Sequence, residues 1–194
     1  MIKLESLYGS SAKRILNDLA KLRIEVFHEF PYLYEGSLDY EKKYLERYFS
    51  TEKSLVLALW DKGQLVGAST AIHLPEEDPS IRDAVAKFYD PAQFVYFGES
   101  IISQAYRGMG YGKLFFEHRE NFAKSLSARW VGFCAVIRDP NDIRRPSTYF
   151  SPESLWLKLG YEKIPGLTTE ISWIEKGEDV ESPKKLQFWT KSIL

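Results

Sequence analysis

The chain has 194 residues and a mass of 22.5 kDa, which fits a single domain over residues 1–194 better than two domains. Its formal net charge of −1 gives no sign of a nucleic-acid partner, and one cysteine with three scattered histidines supplies no set of metal ligands. The first residues lack the apolar run of a signal peptide, and no stretch approaches the ~20 apolar residues that cross a bilayer, so we expect a cytoplasmic protein without a membrane partner.

The N-terminal half changes from a helical to a strand-like hydrophobic pattern. Apolar residues recur at helical spacing between Ile15 and Phe27, and Pro31 ends this helix. Gly63 lies between two short apolar runs, where it supplies the positive φ of a tight hairpin turn. The elements predicted here are a strand at 2–8, helices at 11–28 and 38–49, strands at 55–60 and 65–74, and a helix at 80–89.

The C-terminal half continues the alternation of strands and helices. The elements predicted here are a strand at 93–103, a helix at 111–127, a strand at 129–138, a short helix at 152–159, and strands at 161–174 and 185–193. This order implies an α/β fold, with a mixed sheet that carries helices on both faces. The apolar segment 186–189 in the last strand is a candidate for pairing across a homodimer.

A glycine-rich turn at 108–113 joins the predicted strand at 93–103 to the helix at 111–127. Glycines at the start of a helix let the backbone approach a ligand closely, and the free amides of the first turn favour an anion such as a pyrophosphate. Two familiar phosphate motifs do not fit. A P-loop would need a Ser or Thr where Leu114 stands, and a dinucleotide fingerprint would need a third glycine where Lys113 or Phe115 stands.

The turn matches the acetyl-coenzyme A loop pattern [RQ]-x-x-G-x-[GA] at Arg107, Gly110 and Gly112. The stretch 158–161, with sequence KLGY, is similar to the end of the last helix in the same family. On these motifs, which lie within about 94–162, the chain resembles the GNAT superfamily of N-acetyltransferases. The resemblance implies the family's fold, a splayed mixed sheet flanked by helices, and acetyl-CoA as co-substrate.

The resemblance also implies which residues contact the cofactor. The backbone of Ile101, Ile102 and Ser103 would pair with the pantetheine arm as an added pseudo-strand. The amides of the glycine turn would receive the pyrophosphate. The residues of this expected site are Ile101, Ile102, Ser103, Arg107, Gly108, Met109, Gly110, Tyr111, Gly112 and Lys113.

Glu99 is the candidate general base for an acceptor amine. The period of two along the strand at 93–103 places it on one face with Val95, Phe97 and Ile101. A carboxylate on an apolar face is costly unless it meets water, a partner or a substrate, and many GNAT enzymes have a glutamate on this strand as a base. The alternative is a salt-bridged or solvated carboxylate without a catalytic role.

The general acid is less clear from the sequence. Trp156 occupies the position of the family's usual tyrosine, and an indole N–H cannot protonate a thiolate. Tyr149 is then the candidate acid or cofactor contact, although it is equally compatible with packing alone, and the reaction can also proceed without an acid. Cys134 lies inside a predicted strand and is interpreted as a buried small residue.

The segment 30–36, between the first two helices, lies where the family has an acceptor-binding loop. Its aromatic and acidic residues Phe30, Tyr32, Tyr34 and Glu35 would suit an amine or a cationic acceptor. The alternative is a hydrophobic plug that seals the helix pair. Arg138 and Arg144 could contact an acidic group of the acceptor or belong to a solvated loop.

The resemblance therefore implies an N-acetyltransferase that moves an acetyl group from acetyl-CoA to a primary amine by direct attack in a ternary complex. The acceptor, a small molecule or a peptide, is not specified by the sequence, because acceptor sites are built from variable loops. A longer acyl thioester would leave the motifs unchanged. The alternative function is a non-catalytic acyl-CoA-binding sensor or interaction module, a hypothesis that Trp156 keeps open.

Overall fold

The computed structural model describes all 194 residues. Its strands are β1 (Lys3–Tyr8), β2 (Ser54–Asp61), β3 (Gln64–His73), β4 (Phe94–Tyr96), β5 (Ser100–Ile102), β6 (Trp130–Val136), β7 (Glu162–Trp173) and β8 (Ser182–Ser192). Its α-helices are α1 (Leu16–Phe27), α2 (Leu38–Phe49), α3 (Pro79–Val85), α4 (Tyr111–Ser125) and α5 (Glu153–Lys158). The predicted elements are therefore present, with three differences. The helix expected at 11–28 is α-helical only from Leu16, after a 3₁₀ helix at Gly9–Ile15. The strand expected at 93–103 is divided into β4 and β5, and the helix expected at 80–89 already ends at Val85.

Local chemistry explains where several elements begin and turn. Lys62 and Gly63 both have positive φ between β2 and β3, as a two-residue hairpin turn requires. The side chain of Ser37 accepts a hydrogen bond from the backbone amide of Tyr40 at 3.3 Å and so caps the start of α2. Gly110 has a φ of +87° and is the residue directly before α4. The sequence signals for turns and caps thus fix the bounds of these elements.

The eight strands form one mixed sheet in the order β1-β2-β3-β4-β6-β8-β7, and β5 pairs with β3 alone. All neighbours are antiparallel except β4 and β6, which are parallel. Leu19 of α1 and Leu45 of α2 are fully buried in the core on one face. Phe115 and Phe116 of α4 belong to the core on the other face. The predicted mixed sheet with helices on both faces is confirmed.

The last strand does not offer a free edge to a second subunit. β8 pairs with β6 along one side, from Leu186 to Ser192, and with β7 along the other. The expectation that segment 186–189 pairs across a homodimer is therefore wrong, because both of its edges are used within the chain. Its apolar character reflects burial in the middle of the sheet: Phe188 is fully buried. None of the helices is long and apolar enough to cross a membrane.

The division between β4 and β5 opens the sheet. Tyr96 is still in register with Gly132 of β6, and the amide of Phe97 donates to the Gly132 carbonyl oxygen at 2.8 Å. The next amide, that of Gly98, donates instead to Thr70 of β3 at 3.2 Å. From this point the chain follows β3 and leaves β6, so that a gap opens between β5 and β6. The splayed sheet that the resemblance implied is present.

Gly98 occupies the point of separation, and its surroundings leave no room for a side chain. A Cβ atom built there would overlap the hydroxyl oxygen of Tyr48 and lie 2.5 Å from Oγ1 of Thr70. Tyr48 and Thr70 are both fully buried, so neither has free space to move into. The close packing of the two side chains against the bare backbone holds the strand in its divided form.

Candidate active site

A cavity of about 110 Å³ lies at the separation of β5 and β6, on the face of the sheet that α1 and α2 cover. We call it the Glu99 cavity. Three charged residues, Arg23, Glu41 and Glu99, reach it from α1, α2 and the segment between β4 and β5. Its aromatic lining is formed by Phe27, Tyr32, Tyr34, Tyr40, Tyr44, Tyr96 and Trp173. A small aromatic cavity with a few polar groups is the usual form of a ligand site.

Glu99 lies on the face of the sheet opposite to the one we predicted. Val95 and Phe97 pack in the core beside α4, whereas the Glu99 side chain lines the cavity with Tyr96 on the other face. The strict alternation of a strand fails because the hydrogen bonds pass from β6 to β3 between Phe97 and Gly98. The expected placement of Glu99 with Val95 and Phe97 is therefore wrong.

The Glu99 carboxylate is part of a buried ion triad. Nη1 of Arg23 lies 2.5 Å from Oε2 of Glu99, and Nε of Arg23 donates to Oε2 of Glu41. The Glu99 side chain is 1% exposed and that of Glu41 is fully buried. The other oxygen of each carboxylate, Oε1, is buried without a hydrogen-bond partner. Glu99 is thus both salt-bridged and lining a cavity, so the two interpretations of its role do not exclude each other.

Burial raises the pKa of the Glu99 carboxyl above its usual value; Arg23 opposes this rise and Glu41 adds to it. The physical cause is that the charged form of a buried carboxyl loses its hydration, and a second carboxylate repels it further. Such a carboxyl holds a proton more readily than one in water. That property suits a group that must accept a proton from an amine.

Sequence reasoning missed Arg23 and Glu41, although a signal for both is present. Arg23 lies four residues after Leu19 and four before Phe27, which places it on the apolar side of α1. Glu41 lies four residues before Leu45 in α2, which places it on the apolar side of that helix. Charged residues at buried positions of two neighbouring helices indicate a paired, specific role, because an unpaired buried charge is very costly.

On the α4 face a second buried arginine, Arg119, contacts the backbone of Glu99. Nη1 of Arg119 lies 3.2 Å from the Glu99 carbonyl oxygen and 3.5 Å from that of Thr70. Its guanidinium lies between the rings of Phe97 and Phe116, at 4.3 and 4.6 Å from their centroids. No carboxylate pairs with it, and burial lowers the pKa of Arg119 to about 10. Arg119 therefore contacts the main chain at the separation point, whereas Arg23 binds the Glu99 side chain.

The glycine turn has the backbone geometry that an anion site requires. Gly108 and Gly110 have φ values of +77° and +87°, and a Cβ atom at either position would meet nothing within 4 Å. The turn is therefore open, and its glycines are needed for conformation and not for close packing. The amides of Tyr111, Gly112 and Lys113 in the first turn of α4 have no backbone acceptor within the helix. They are available to an anionic ligand.

β5 leads from the Glu99 cavity to this turn. It pairs with β3 through Ile101 and Ile102, and its other edge faces the gap left by β6. The Ser103 amide also donates to a β3 carbonyl, at 2.9 Å. Arg107 donates Nε–H to the Ile102 carbonyl oxygen at 2.8 Å and binds Glu29 through two hydrogen bonds of 2.6 and 3.0 Å. The predicted cofactor residues thus form one continuous path along the edge of the gap.

The predicted acceptor segment is only partly in the cavity. Tyr32 and Tyr34 line it, whereas Phe30 and Glu35 do not. The Glu35 carboxylate lies 3.3 Å from Nε2 of His28, and both side chains are about half exposed. Phe30 packs edge-on against Tyr149, with ring centroids 4.8 Å apart. Two of the four residues are therefore in position to contact a ligand in the cavity.

Tyr149, the candidate general acid, and Trp156, which occupies the position of the family's usual tyrosine, do not line the Glu99 cavity. The Tyr149 ring contacts Phe30, and partial burial raises the pKa of its hydroxyl. Trp156 packs between Phe133 and Trp189, with centroids 4.8 and 5.1 Å away. The tryptophan is thus a core residue.

Arg138 and Arg144 bind a single buried carboxylate, that of Glu175. Arg138 also donates to the carbonyl oxygens of Pro31 and Tyr32, at 2.5 and 3.0 Å. It therefore fixes the backbone of the segment that carries Tyr32 and Tyr34 along one side of the cavity. This role differs from both of the expected ones, a contact to an acidic acceptor or a solvated loop.

Cys134 lines the Glu99 cavity from β6 and is mostly buried, with 8% of its surface exposed. Its Sγ lies 3.1 Å from the hydroxyl oxygen of Tyr96. Burial raises the pKa of the thiol to about 12, so that it stays neutral near pH 7. The expectation of a buried small residue is confirmed.

The chain belongs to the acetyltransferase (GNAT) family, whose family model matches residues 19–146. The matched region includes Arg23, Glu41, Glu99 and the glycine turn. The family comprises acetyltransferases that use acetyl-CoA as co-substrate, and the chain is an acyltransferase of this kind. Among curated proteins, none matches its sequence.

Solved structures share the fold at low sequence identity. A ribosomal-protein-alanine N-acetyltransferase from Brucella melitensis is 14% identical, with a TM-score of 0.62 and 99% of each chain covered. Arabidopsis thaliana NAA60, in complex with a bisubstrate analogue, is 12% identical, with a TM-score of 0.60 and 100% of each chain covered. Salmonella typhimurium yncA, solved with its cofactor acetyl-CoA, is 10% identical, with a TM-score of 0.58, 98% of this chain and 94% of that chain covered.

Proposed function

We propose that the protein is an N-acetyltransferase that moves the acetyl group of acetyl-CoA to a primary amine of a small molecule or peptide, with Glu99 as the general base. The observation that carries the proposal is the position of Glu99. Its carboxyl is buried, has a raised pKa and lines an aromatic cavity at the point where β5 and β6 separate. In such a place it can accept a proton from an amine beside a thioester that enters through the gap.

The residues along the gap fit acetyl-CoA. The open amides of Gly108–Lys113 at the start of α4 would hold the pyrophosphate, and the free edge of β5 would pair with the amide groups of the pantetheine arm. The cofactor supplies an activated acetyl group as a thioester. The protein supplies orientation, since both sites lie along one short strand.

The chemical step follows from the cavity. A primary amine is mostly protonated near pH 7, so it must lose a proton before it can attack. Glu99 takes that proton, the nitrogen bonds to the carbonyl carbon, and the C–S bond breaks with its electron pair on sulfur. The second proton lost by nitrogen balances the charge of the thiolate. The scheme needs no general acid. Tyr149 stays a candidate acid or cofactor contact, although its ring packs against Phe30 and does not line the cavity.

Cofactor binding can be tested with a pair of matched glycine variants. Gly110→Glu introduces bulk and negative charge into the turn, and Gly63→Glu introduces the same side chain at the β2–β3 turn. Both glycines have positive φ and open surroundings, so the backbone strain is similar. We expect acetyl-CoA to raise the melting temperature of the wild type and of Gly63→Glu but not of Gly110→Glu. An equal rise in all three proteins would place the cofactor elsewhere.

Turnover is tested by the release of free thiol from acetyl-CoA in the presence of a panel of primary amines. Release that depends on an amine, with formation of the N-acetyl product, supports the proposed reaction. Binding of acetyl-CoA without release in the presence of any amine would instead favour the sensor hypothesis. A faster release with a longer acyl-CoA would identify a different donor.

A further inference from the structure

The base role of Glu99 does not explain why a second carboxylate is buried beside it. Glu41 is fully buried and comes from α2, while Arg23 comes from α1. Burying a carboxylate is costly, and replacing a buried ion pair by apolar residues often costs nothing or stabilises a protein. A buried triad at the lining of a cavity therefore needs a reason other than stability.

The triad has an excess of negative charge and of hydrogen-bond acceptors. One guanidinium faces two carboxylates, which leaves a net negative charge in the cavity lining. Arg23 donates one bond to Oε2 of each carboxylate, and Oε1 of each is buried without a partner. Burial and the neighbouring Glu41 carboxylate raise the pKa of the Tyr34 hydroxyl, which places one donor beside Glu41. The triad still lacks one positive charge and a donor to Oε1 of Glu99. A primary ammonium supplies both, since it carries one charge, three N–H donors and no acceptor.

The aromatic part of the lining of the Glu99 cavity also favours a bound cation. Aromatic rings attract cations through their faces, and here Arg23 already uses this property, since its guanidinium lies 4.2 Å from the ring centroid of Tyr44 and 5.0 Å from that of Phe27. Tyr32, Tyr34 and other rings line the remaining space. A second cavity, of about 160 Å³, shares Tyr34, Tyr40 and Trp173 with this one, so a stem attached to the ammonium group has space to continue.

We propose, on the basis of the proposed function, that Glu41 and Glu99 together bind the acceptor as a protonated primary alkylammonium group, and that Glu41 is the residue that sets this specificity. Glu41 lies in the first turn of α2, where the helix dipole favours a negative charge. It keeps the nitrogen in place with its free Oε1, while Glu99 takes the proton that the nitrogen must lose. The acceptor class is a primary amine at the end of an aliphatic stem. Alcohols and carboxylates carry no positive charge for the two carboxylates, and a quaternary ammonium group has no N–H donor for the free Oε1 atoms, so we expect all three to bind more weakly.

The test uses three probes of equal chain length: n-butylamine, n-butanol and butyrate. Their binding to the full chain is measured by calorimetry, with and without coenzyme A. We expect the wild type to bind butylamine, and butanol and butyrate at least 10-fold more weakly. Glu41→Gln keeps the shape and an acceptor for Arg23, and we expect it to weaken butylamine binding about 10- to 100-fold, the effect of losing a charged hydrogen-bond partner.

Glu77→Gln is the matched control. Glu77 is a buried carboxylate paired with Arg47. It adds to the raised pKa of Glu99 through its charge but does not line the Glu99 cavity, so it controls for the loss of a nearby charge without the loss of a contact. This variant should bind butylamine as the wild type does. Equal binding of butanol and butylamine to the wild type would overturn the proposal, and so would wild-type affinity in a folded Glu41→Gln. The probe series on the wild type tests recognition of the ammonium group. If Glu41→Gln does not fold, Glu41→Asp, which keeps the charge and withdraws it by one methylene, takes its place, and wild-type affinity in that variant would overturn the role of Glu41.

Binding and turnover are measured separately, so the two proposals can fail independently. If butylamine binds through Glu41 but no amine is acetylated, the proposed reaction fails and the ammonium site stands. If amines are acetylated and Glu41→Gln leaves their KM unchanged, the reaction stands and the ammonium site is overturned.

Discussion

Two buried arginines approach Glu99 from opposite faces of the sheet, and their surroundings differ. Arg23, on the α1–α2 face, pairs with two carboxylates that line a cavity. Arg119, on the α4 face, has no carboxylate partner and lies between two phenylalanine rings, where it donates to backbone carbonyls. The first is part of a charged, incomplete network. The second lies in an apolar core, and its Nη2 is buried without a hydrogen-bond partner.

The difference shows how one residue can be held firmly and still have free bonding capacity. Arg119 and the β3 backbone hold the main chain of Glu99, since the amide of Thr70 donates to the Glu99 carbonyl oxygen at 3.1 Å. Arg23 takes only one of the two side-chain oxygens. Contacts with Arg119 and β3 thus fix the backbone of Glu99, while one oxygen of its side chain stays free on the α1–α2 face. Three substitutions probe this division, in order of expected effect.

Glu99→Gln removes the base at the point where the two faces meet. The amide oxygen of the introduced glutamine can still accept a hydrogen bond from Arg23, so we expect the fold to remain. The value of kcat/KM for an amine should fall by about 10²–10⁴, the usual contribution of general-base catalysis. The loss should shrink as pH rises, because more of the amine is then already deprotonated. The measurement is kcat/KM against pH for both proteins, and a wild-type profile in the variant would make Glu99 structural.

Arg23→Met leaves two buried carboxylates without a cation. We expect the free energy of unfolding to fall by about 3–5 kcal/mol near pH 8, as when one partner of a buried pair is removed. In the variant the pKa of Glu99 rises further, so the folded chain binds more protons than the unfolded chain, and stability decreases as pH rises. The loss should therefore be smaller at pH 5 than at pH 8. Urea unfolding at both pH values measures it, and an equal loss at both would contradict the charged description of this face.

Arg119→Met removes the other arginine in the same way and gives the contrasting result. Weak hydrogen bonds to carbonyls are lost, but the cost of a buried unpaired charge disappears, and a methionine can pack between Phe97 and Phe116. We expect the free energy of unfolding to change by no more than about 1 kcal/mol, equally at pH 5 and pH 8. The same urea series provides the measurement. A loss as large as that of Arg23→Met would show that both faces depend on charge.

The cofactor-binding part of the site could be predicted from the sequence because the glycine turn and the start of α4 depend on neighbouring residues in the chain. Gly108 and Gly110 have the positive φ that their residue type permits, and α4 begins at Tyr111 as predicted. A short motif next to a strand and a helix is enough to specify such a turn. The succession of helices and strands along the chain, apart from the division into β4 and β5, followed from the hydrophobic period for the same reason.

The acceptor-binding part of the site could be predicted only in part because it is built from segments that are far apart in the sequence. The spacing of Arg23 and Glu41 shows that each lies on the apolar side of its helix, but it does not show that tertiary packing brings them to Glu99. The face of Glu99 was predicted wrongly, since the transfer of hydrogen bonds from β6 to β3 at Gly98 leaves no mark in a period of two. The role of segment 186–189 was also predicted wrongly, because an apolar pattern does not distinguish a strand paired on both sides from one with a free edge.

The packing around Gly98 has a consequence for how this sequence can vary. Any side chain at position 98 would collide with the hydroxyl groups of Tyr48 and Thr70, so that a change there requires prior changes at both partners. Gly98→Ala alone and the pair Tyr48→Phe with Thr70→Ala should each be costly, whereas the triple variant should cost less than the sum of their effects. We therefore expect these three positions, which are far apart in the chain, to vary together, with Gly98 changing only after the two hydroxyl groups are lost.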